Sequence, residues 1–286
     1  MSFVTTKKMI LDAQKGCYAI GAFNVENMEM AQSVITAAEK MQSPVIIQTT
    51  PSTLKYASPA TFSAMVKTIA EKTNVPVALH LDHGNSLEIA MQAYRAGYSS
   101  IMIDGSQGSL EDNIAISKNV VDICHASGIP VEAELGKVGG KEDDLENGND
   151  NPYTDPSQAE YFVSQTGVDF LAVAIGTAHG IYKGIPVLDK ERLSEIRNKV
   201  SIPLVLHGTS GVLEKDVQDC IARGICKVNY ATDLRIAFTN GIKRFLADNP
   251  GAYDPKKYND AGRKEVVEYV MHKMKILGSA GKVLNG

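Results

Sequence analysis

Residues 76–84 read Pro-Val-Ala-Leu-His-Leu-Asp-His-Gly, a short apolar run that opens after a proline and ends in polar side chains. Similar runs, rich in Val and Ile, recur along the whole chain, and several of them also follow a proline. A continuous apolar run of this length is typical of a strand buried on both faces of a parallel sheet. We predict strands at Tyr18–Asn24, Val45–Thr49, Val77–Leu81, Ser100–Asp104, Val131–Leu135, Phe170–Ile175, Leu204–His207 and Lys227–Asn229.

Helical periodicity fills the segments between these runs, as at Met28–Met41, Leu87–Ala96, Leu110–Ala126 and Lys215–Arg223. Strands that alternate with helices indicate the α/β class. The number of units, over about 250 residues, favours a closed (β/α)₈ TIM barrel, although an open doubly wound sheet is the alternative because a count of units does not prove closure. No linker rich in Pro, Gly or Ser divides the chain, so we predict a single domain over residues 1–286. Additional C-terminal helices are predicted at Thr239–Ala247 and Gly262–Ile276.

Composition excludes several classes of protein. The 29 basic and 33 acidic side chains give a net charge of −4, which argues against nucleic acid or an anionic membrane as the main partner. No apolar stretch is long enough to span a membrane, and the N-terminal residues do not resemble a signal peptide. The 4 cysteines form no Cys-x-x-Cys pair, which predicts buried thiols in a reducing cytoplasm.

Polar side chains end nearly every predicted strand. In a parallel barrel the carboxyl ends of all strands meet at one rim, and that rim carries the functional groups of barrel enzymes. A scaffold that only packs would need no polar residue at these positions. The side chains expected around one site are Asn24, Gln48, Asp82, His83, Asp104, Glu134, His179, His207, Asn229 and Thr232.

Histidines at strand ends predict a metal site. Those followed directly by glycine are His83, His179 and His207. A single histidine is more often an ordinary hydrogen-bonded residue, but three neutral imidazoles from three strands would hold Zn²⁺ and leave one position open. His80 lies three residues before His83, so strand alternation predicts that the two face opposite sides. His125 and His272 fall in helical segments and are predicted to be structural.

Carboxylates accompany these histidines. Asp82 directly precedes His83, where its carboxyl group could donate or accept a proton at a reacting carbon, or instead orient an imidazole. Asp104 and Glu134 end the next two predicted strands. They could hold a second divalent ion or fix the ligands of the first, and the sequence favours neither interpretation.

Glycine-rich segments end the last three strands: Gly180 with Lys183, Gly208-Thr209-Ser210-Gly211, and Asn229 to Asp233. Glycine lets backbone N–H groups approach an anion closely, and barrels frequently bind phosphate at the loops after strands seven and eight. Beside a metal, the three segments favour a phosphorylated substrate. One long insertion, Gly136 to Asp155, contains six acidic residues and four glycines, and it is typical of a lid or a disordered segment.

Taken in order, these motifs resemble those of class II, zinc-dependent ketose-bisphosphate aldolases along essentially the whole chain. The resemblance is carried by Ala-Phe-Asn-Val (22–25), His-Leu-Asp-His-Gly (80–84), Met-Ile-Asp-Gly-Ser (102–106), Val-Glu-Ala-Glu-Leu-Gly (131–136), Val-Gly-Gly-Lys-Glu-Asp-Asp (138–144), Ala-Ile-Gly-Thr-Ala-His-Gly (174–180), Leu-Val-Leu-His-Gly (204–208) and Lys-Val-Asn (227–229).

The resemblance implies roles for individual residues. It implies that Asp82 is the proton donor and acceptor at the aldehyde-derived oxygen, and that Glu142, on a mobile acidic loop, removes a proton from the bound triose. Asp104 and Glu134 would border a second or alternative divalent site. The implied ligands of the catalytic zinc are His83, His179 and His207.

The resemblance also implies ligands and partners. The segments that bind dihydroxyacetone phosphate match Gly180, Gly208–Ser210 and Asn229–Thr232, and a monovalent cation, Na⁺ or K⁺, commonly assists near them. A basic residue matching Arg235, which reaches in from a neighbouring subunit, usually holds the far phosphate, so a homodimer or homotetramer is expected. Tagatose-type members are similar to proteins that work with a non-catalytic stabilising subunit.

Substrate choice rests on a few side chains. The segments 229–232 (Asn-Tyr-Ala-Thr) and 50–53 (Thr-Pro-Ser-Thr, beginning at Thr50) resemble the tagatose-bisphosphate branch. Fructose-bisphosphate members more often carry an acidic or amide side chain where Ala231 stands, and both a fructose-bisphosphate aldolase and an aldolase of inositol or deoxy-sugar catabolism are alternatives. A non-catalytic binding subunit is a further alternative. The chain departs from the family pattern at Gln107, Thr209 and Tyr230.

Overall fold

The computed structural model of the chain describes residues 2–142, 145–146, 153–182 and 184–283. Within these residues, eight parallel strands form a barrel: β1 (Ile20–Asn24), β2 (Val45–Thr49), β3 (Val77–Gly84), β4 (Ser100–Ile103), β5 (Val131–Leu135), β8 (Phe170–Val173), β10 (Leu204–Leu206) and β11 (Ile225–Tyr230). Their order around the barrel is β1-β11-β10-β8-β5-β4-β3-β2. Closure is shown by β1, which pairs with both β2 and β11, and this excludes the open sheet.

Helices surround the strands and begin where the sequence caps them. Side chains of Ser86 and Ser109 accept hydrogen bonds from the third residue of their helices, and Gly97 and Gly167 end helices with positive φ. The helices are α1 (Thr6–Gly16), α2 (Met28–Met41), α3 (Pro51–Tyr56), α4 (Pro59–Ala70), α5 (Leu87–Ala96), α6 (Leu110–His125), α7 (Pro156–Thr166), α8 (Lys190–Lys199), α9 (Glu214–Ala222), α10 (Thr232–Asp248) and α11 (Pro255–Ile276).

In the part of the chain that the structure describes, two hydrophobic clusters divide the core. The larger lies between the outer faces of the strands and the helices. The smaller includes Met9 and Ile10 of α1 together with Ile20, Ile46 and other residues at the amino-terminal end of the barrel. Because the apolar filling is concentrated at that end, polar side chains can occupy the opposite half of the barrel.

The course of β3 differs from the prediction. The strand continues beyond Leu81 to Gly84, its register with β4 shifts between Leu81 and Gly84, and His83 has a φ of 50°. This irregularity breaks the alternation of side chains, as a bulge does. The prediction that His80 and His83 face opposite sides is therefore wrong, because both rings point into the barrel and bond to interior groups.

A small sheet lies above the carboxyl-terminal rim. It contains β6 (Gly139–Glu142) and β7 (Leu145–Glu146) from the acidic insertion, and β9 (Ala178–His179). Gly139 and Gly140 pair in parallel with Ala178 and His179. Strand pairing thus joins the insertion to His179, one of the predicted metal ligands. Among the described residues, no helix combines the length and the apolar character needed to cross a membrane.

Candidate active site

Imidazole rings meet at the carboxyl-terminal rim of the barrel. His83 lies near the end of β3, His179 ends β9, and His207 follows β10. Nε2 of His83 is 2.9 Å from Nδ1 of His207, and the ring centroids of His83 and His179 are 5.0 Å apart. One nitrogen from each ring lies within 4.8 Å of the others. Tetrahedral zinc with Zn–N bonds near 2.0–2.1 Å separates its ligand atoms by about 3.3 Å, so these residues fit one such ion.

Carboxylates orient two of the rings. Oδ2 of Asp104 is 2.8 Å from Nδ1 of His83, and Oε1 of Glu132 is 3.0 Å from Nε2 of His207. In both rings the other nitrogen faces the space between the three histidines, the arrangement that carboxylates impose on histidines that bind a metal. Burial, followed by the charges of His83 and Lys227, lowers the pKa of His207 well below 6.5. This imidazole is therefore neutral, as a metal ligand must be.

A second group of candidate ligands shares His83. Atoms of His83, Asp104 and Glu134 also lie within 4.8 Å of one another. Burial alone would raise the pKa of Asp104, but hydrogen bonds from His83 and Ser106 outweigh it and lower the pKa to about 2. Asp104 is thus a carboxylate at neutral pH, which suits both functions predicted for it.

Asp82 is fully buried and held by amides. Its Oδ2 accepts hydrogen bonds from Nδ2 of Asn24 at 2.8 Å and Nε2 of Gln48 at 3.1 Å. Its Oδ1 accepts one from Nδ2 of Asn229 at 3.0 Å. These donors come from the ends of three neighbouring barrel strands, β11, β1 and β2, which together fix the orientation of this carboxylate. All three bonds come from amides, whereas a carboxylate that orients an imidazole, the alternative interpretation of Asp82, would accept a bond from a histidine.

Below the rim lies an ion pair that the sequence patterns did not predict. Lys227 and Glu132 are both fully buried, and Nζ of Lys227 is 3.0 Å from Oε2 of Glu132. His80, also fully buried, bonds through Nδ1 to Ser100. The i, i+2 spacing of Lys227 to Asn229 and of Glu132 to Glu134 was the available signal, because residues two apart on a strand share a face.

A pocket opens beside the histidines between the loops that follow β9, β10 and β11. Gly208 has a φ of 63°, and Tyr182 ties this loop down by donating to Gly208 O and accepting from Ala178 N. The amino terminus of α10 faces the same loop, since Asp233 N donates to Oγ of Ser210. Glycine turns and a helix amino terminus suit an anion. The pocket is lined by Asn24, His179, Gly180, Gly208, Thr209, Ser210, Asn229, Ala231, Thr232 and Arg235.

Comparison with known proteins shows which family the chain belongs to. A family model described as class II fructose-bisphosphate aldolase matches residues 4–282. The chain belongs to this family. It is a metal-dependent aldolase, a lyase built on a TIM barrel, and the family acts on phosphorylated sugars.

Solved structures agree over nearly the whole length of this aldolase. The YdjI aldolase of Escherichia coli K12 is 40% identical with a TM-score of 0.88, covering 98% of this chain and 99% of the other. A protein of Coccidioides immitis provisionally assigned as fructose-1,6-bisphosphate aldolase is 31% identical, with a TM-score of 0.88 and 96% of each chain covered. Fructose-bisphosphate aldolase of Campylobacter jejuni is 25% identical, with a TM-score of 0.84, covering 98% and 97%.

Some predicted site residues of the aldolase lie away from the pocket. Tyr230 is buried on the outer side of the barrel, where its ring stacks on Phe23 at 5.6 Å and meets Tyr269 at 6.2 Å. Its neighbour Asn229 points inward because strand side chains alternate. Thr50 is buried, and its hydroxyl contacts those of Ser52 and Thr53. Neither Tyr230 nor Thr50 lines the pocket described above.

Arg235 lies beside the pocket of its own chain. It lines that pocket, and its Nη2 is 2.6 Å from Oε1 of Glu26. Arg235 belongs to the first turn of α10, directly after β11. The expectation that it reaches into the site of a neighbouring copy stays a prediction.

For two of the predicted site residues, the structure describes only part of the residue or none of it. Lys183 is outside the described residues. The backbone of Glu142 ends β6, but its side chain is also outside them. Gln107, one of the departures from the family pattern, is exposed in the loop after β4. Thr209, another departure, is buried, and its hydroxyl donates to the carbonyl oxygen of Asn229.

Proposed function

We propose that this aldolase is zinc-dependent and cleaves a ketose 1,6-bisphosphate, with tagatose 1,6-bisphosphate preferred, to dihydroxyacetone phosphate and glyceraldehyde 3-phosphate. The observation that supports this most is the meeting of His83, His179 and His207 beside the amide-held Asp82. When bound, zinc would polarise the carbonyl and the adjacent hydroxyl oxygen of the triose phosphate portion.

The side chains supply the proton transfers. In cleavage, Asp82 accepts the proton of the C4 hydroxyl while the C3–C4 bond breaks. The electron pair of that bond stays with C3, the C4 oxygen becomes the aldehyde oxygen, and Glu142 returns a proton to C3. In synthesis the same residues act in reverse. Because three amides hold the Asp82 carboxylate, it needs no reorganisation to meet the hydroxyl.

The glycine loops account for the phosphate of the triose. Gly180, Gly208–Ser210 and Asn229–Thr232 would offer backbone N–H groups and hydroxyls to it, with Lys183 and a monovalent cation, Na⁺ or K⁺, nearby. The amino terminus of α10 adds the favourable end of a helix dipole. Arg235 would supply a guanidinium from the same chain, opposite in charge to the phosphate.

Ala231 supports the choice of sugar. It lines the pocket, where fructose-type members more often carry an acidic or amide side chain. The two sugars differ only in configuration at C4, so one side chain near that carbon can decide between them. Fructose 1,6-bisphosphate is the second candidate, because the matched family model and the Campylobacter jejuni enzyme are both described by that substrate.

A cleavage assay on both sugars tests the proposal. Chelation with EDTA should abolish cleavage of either sugar, and added Zn²⁺ should restore it. Activity that survives chelation would contradict the metal mechanism. Tagatose 1,6-bisphosphate should have the higher kcat/KM, and Ala231→Asp should shift the ratio toward fructose by about tenfold or more. A higher kcat/KM for fructose in the unchanged enzyme would contradict the sugar assignment alone.

Further proposals concern the domain organisation, the oligomeric state and the location of the enzyme. We propose one catalytic domain over residues 1–286, a homodimer or homotetramer, and a cytoplasmic location, which the free thiols of the described cysteines support. A second divalent ion at Asp104 and Glu134 belongs to the proposal as well. Activity measured with and without a non-catalytic stabilising subunit would show whether the chain depends on one.

A further inference from the structure

A buried ion pair lies one layer below the candidate zinc site. Nζ of Lys227 is 3.1 Å from Oε1 and 3.0 Å from Oε2 of Glu132, and both side chains are fully buried. Apolar side chains of similar size would fill this space at lower cost in desolvation. Stability alone therefore does not explain a charged pair in the middle of the barrel, and its other hydrogen bonds indicate a second role.

The Glu132 side of the pair bonds to a candidate zinc ligand. Oε1 of Glu132 is 3.0 Å from Nε2 of His207, and Nδ1 of the same ring is 2.9 Å from Nε2 of His83. A carboxylate can only accept, so Nε2 of a neutral His207 must carry the ring proton. Nδ1 is then left with a lone pair that faces the metal position.

The Lys227 side of the pair reaches Asp82 through Asn229. Nζ of Lys227 donates to Oδ1 of Asn229 at 2.8 Å, and Nδ2 of Asn229 donates to Oδ1 of Asp82 at 3.0 Å. An ammonium group can only donate, so it fixes which end of the Asn229 amide points down. The other end, which carries the hydrogens, must then point at the Asp82 carboxylate.

We infer that Lys227 and Glu132 are positioning residues that set the ring proton of His207 and the amide orientation of Asn229. One buried pair thus organises a metal ligand and the proton-transferring carboxylate together. This inference rests on the proposed zinc aldolase function, which it deepens. Without the pair, His207 could take either tautomer, and the buried oxygen of the Asn229 amide would lose its donor, so the amide could rotate away from Asp82.

Paired variants separate this role from simple charge balance. Glu132→Leu/Lys227→Met removes both charges together, so neither is left buried alone. Glu132→Gln/Lys227→Met is also neutral but keeps an accepting oxygen for His207. Thr6→Val is the matched control, because Thr6 is equally buried and bonds to Ser100 rather than to the pair.

Two measurements need no turnover. Nitrogen-15 NMR of labelled histidine in the metal-free protein reports each tautomer, with the His207 signal assigned by its loss in His207→Asn. Competition with a chelator gives the Kd for zinc. Wild type and Thr6→Val should show the Nε2–H tautomer of His207. Glu132→Leu/Lys227→Met should show mixed tautomers and a Kd about 10- to 100-fold weaker.

The glutamine variant tests the effect of Glu132 on His207 separately from the effect of Lys227 on Asn229. It should bring the tautomer and the zinc Kd only part of the way back to wild type, because an amide can accept from Nε2 but can also donate to it. Meanwhile kcat for cleavage should stay about tenfold or more below wild type at unchanged KM, because Asn229 still lacks its anchor. A wild-type tautomer and Kd in Glu132→Leu/Lys227→Met would overturn the inference, and so would equal losses in Thr6→Val. If the leucine variant does not fold, wild-type kcat in the glutamine variant overturns it.

The test also distinguishes failure of the inference from failure of the proposed function. A chain that cleaves no ketose bisphosphate but shows the expected tautomers and zinc Kd values would refute the proposed substrate and leave the positioning role intact. A chain that cleaves the sugar normally in every variant would refute the positioning role and leave the function intact.

Discussion

Replacement of Asp82 by Asn tests the centre of the proposed chemistry. The carboxylate accepts hydrogen bonds from Asn24, Gln48 and Asn229 and is fully buried. Asparagine has nearly the same shape but offers only one accepting oxygen. Its amide nitrogen must face at least one donor that Asp82 now accepts, and it cannot take a proton from a sugar hydroxyl.

The expected effects follow from these contacts. Loss of a general acid–base group costs roughly 10²- to 10⁴-fold in kcat, or about 2.7–5.5 kcal/mol in the activation barrier. The lost charge-assisted hydrogen bond is worth about 1.5–3 kcal/mol, which sets the largest fall expected in the free energy of unfolding. We therefore expect Asp82→Asn to fold, to bind zinc and to cleave very slowly.

Two rates separate the role of Asp82 from general damage to the site. The proton on the hydroxymethyl carbon of dihydroxyacetone phosphate, which is C3 of the ketose, exchanges with solvent without any aldehyde. Asp82 acts only at the aldehyde-derived oxygen, so Asp82→Asn should retain this exchange near the wild-type rate. Glu142→Gln is the control with the opposite pattern, because exchange itself should be lost. A kcat for cleavage within tenfold of wild type in Asp82→Asn would refute the assignment, and so would loss of exchange as large as loss of cleavage.

Further predictions concern the pocket, an outward side chain and pH. Gly208→Ala should raise KM, because a Cβ there would lie 2.7 Å from the backbone of Ala178. In Gly184→Ala the added Cβ meets no atom of the described part of the chain within 4 Å, so this variant should leave steady-state kinetics unchanged. Tyr230→Phe should keep full activity and raise Tm slightly, since among the described residues the buried hydroxyl of Tyr230 has no hydrogen-bond partner. Burial lowers the pKa of His80 well below 6.5, so this residue binds a proton in the unfolded chain before the folded one. Below pH 6.5, His80 should therefore lower the free energy of unfolding by about 1.4 kcal/mol for each unit that the pH falls. In His80→Asn, chemical denaturation should show a weaker dependence of this free energy on pH.

Each of these predictions has an outcome that contradicts it. Equal KM values in the two glycine variants would show that the close approach to Ala178 does not shape the pocket. A large loss of activity in Tyr230→Phe would mean that the tyrosine serves the site after all. An unchanged pH slope in His80→Asn would mean that the unfolding equilibrium does not sense this histidine.

Local pattern predicted the framework well. The runs at Val45–Thr49 and Val131–Leu135, and the helices Met28–Met41 and Leu87–Ala96, have the predicted bounds in the structure. Each is a continuous apolar or periodic segment with a clear proline, cap or glycine beside it, so local physics determines it. The convergence of the histidines followed from the same framework, because strand ends of a parallel barrel share one rim.

What the sequence did not predict depends on non-local or irregular geometry. The bulge in β3 turns His83 inward together with His80, and strict alternation cannot anticipate a bulge. The pair of Lys227 with Glu132 joins residues 95 apart across the barrel, which no local pattern encodes. Arg235 was assigned by resemblance alone, and its contact with Glu26 joins residues 209 apart.

Anomalous diffraction at the zinc edge, from crystals of the zinc-loaded enzyme, would locate the metal that the proposed mechanism requires. We predict a peak about 2.0–2.1 Å from Nε2 of His83, Nδ1 of His207 and one ring nitrogen of His179. A peak bound by Asp104 and Glu134 without His179 and His207, or the lack of any peak at the rim, would rule out zinc on the three histidines.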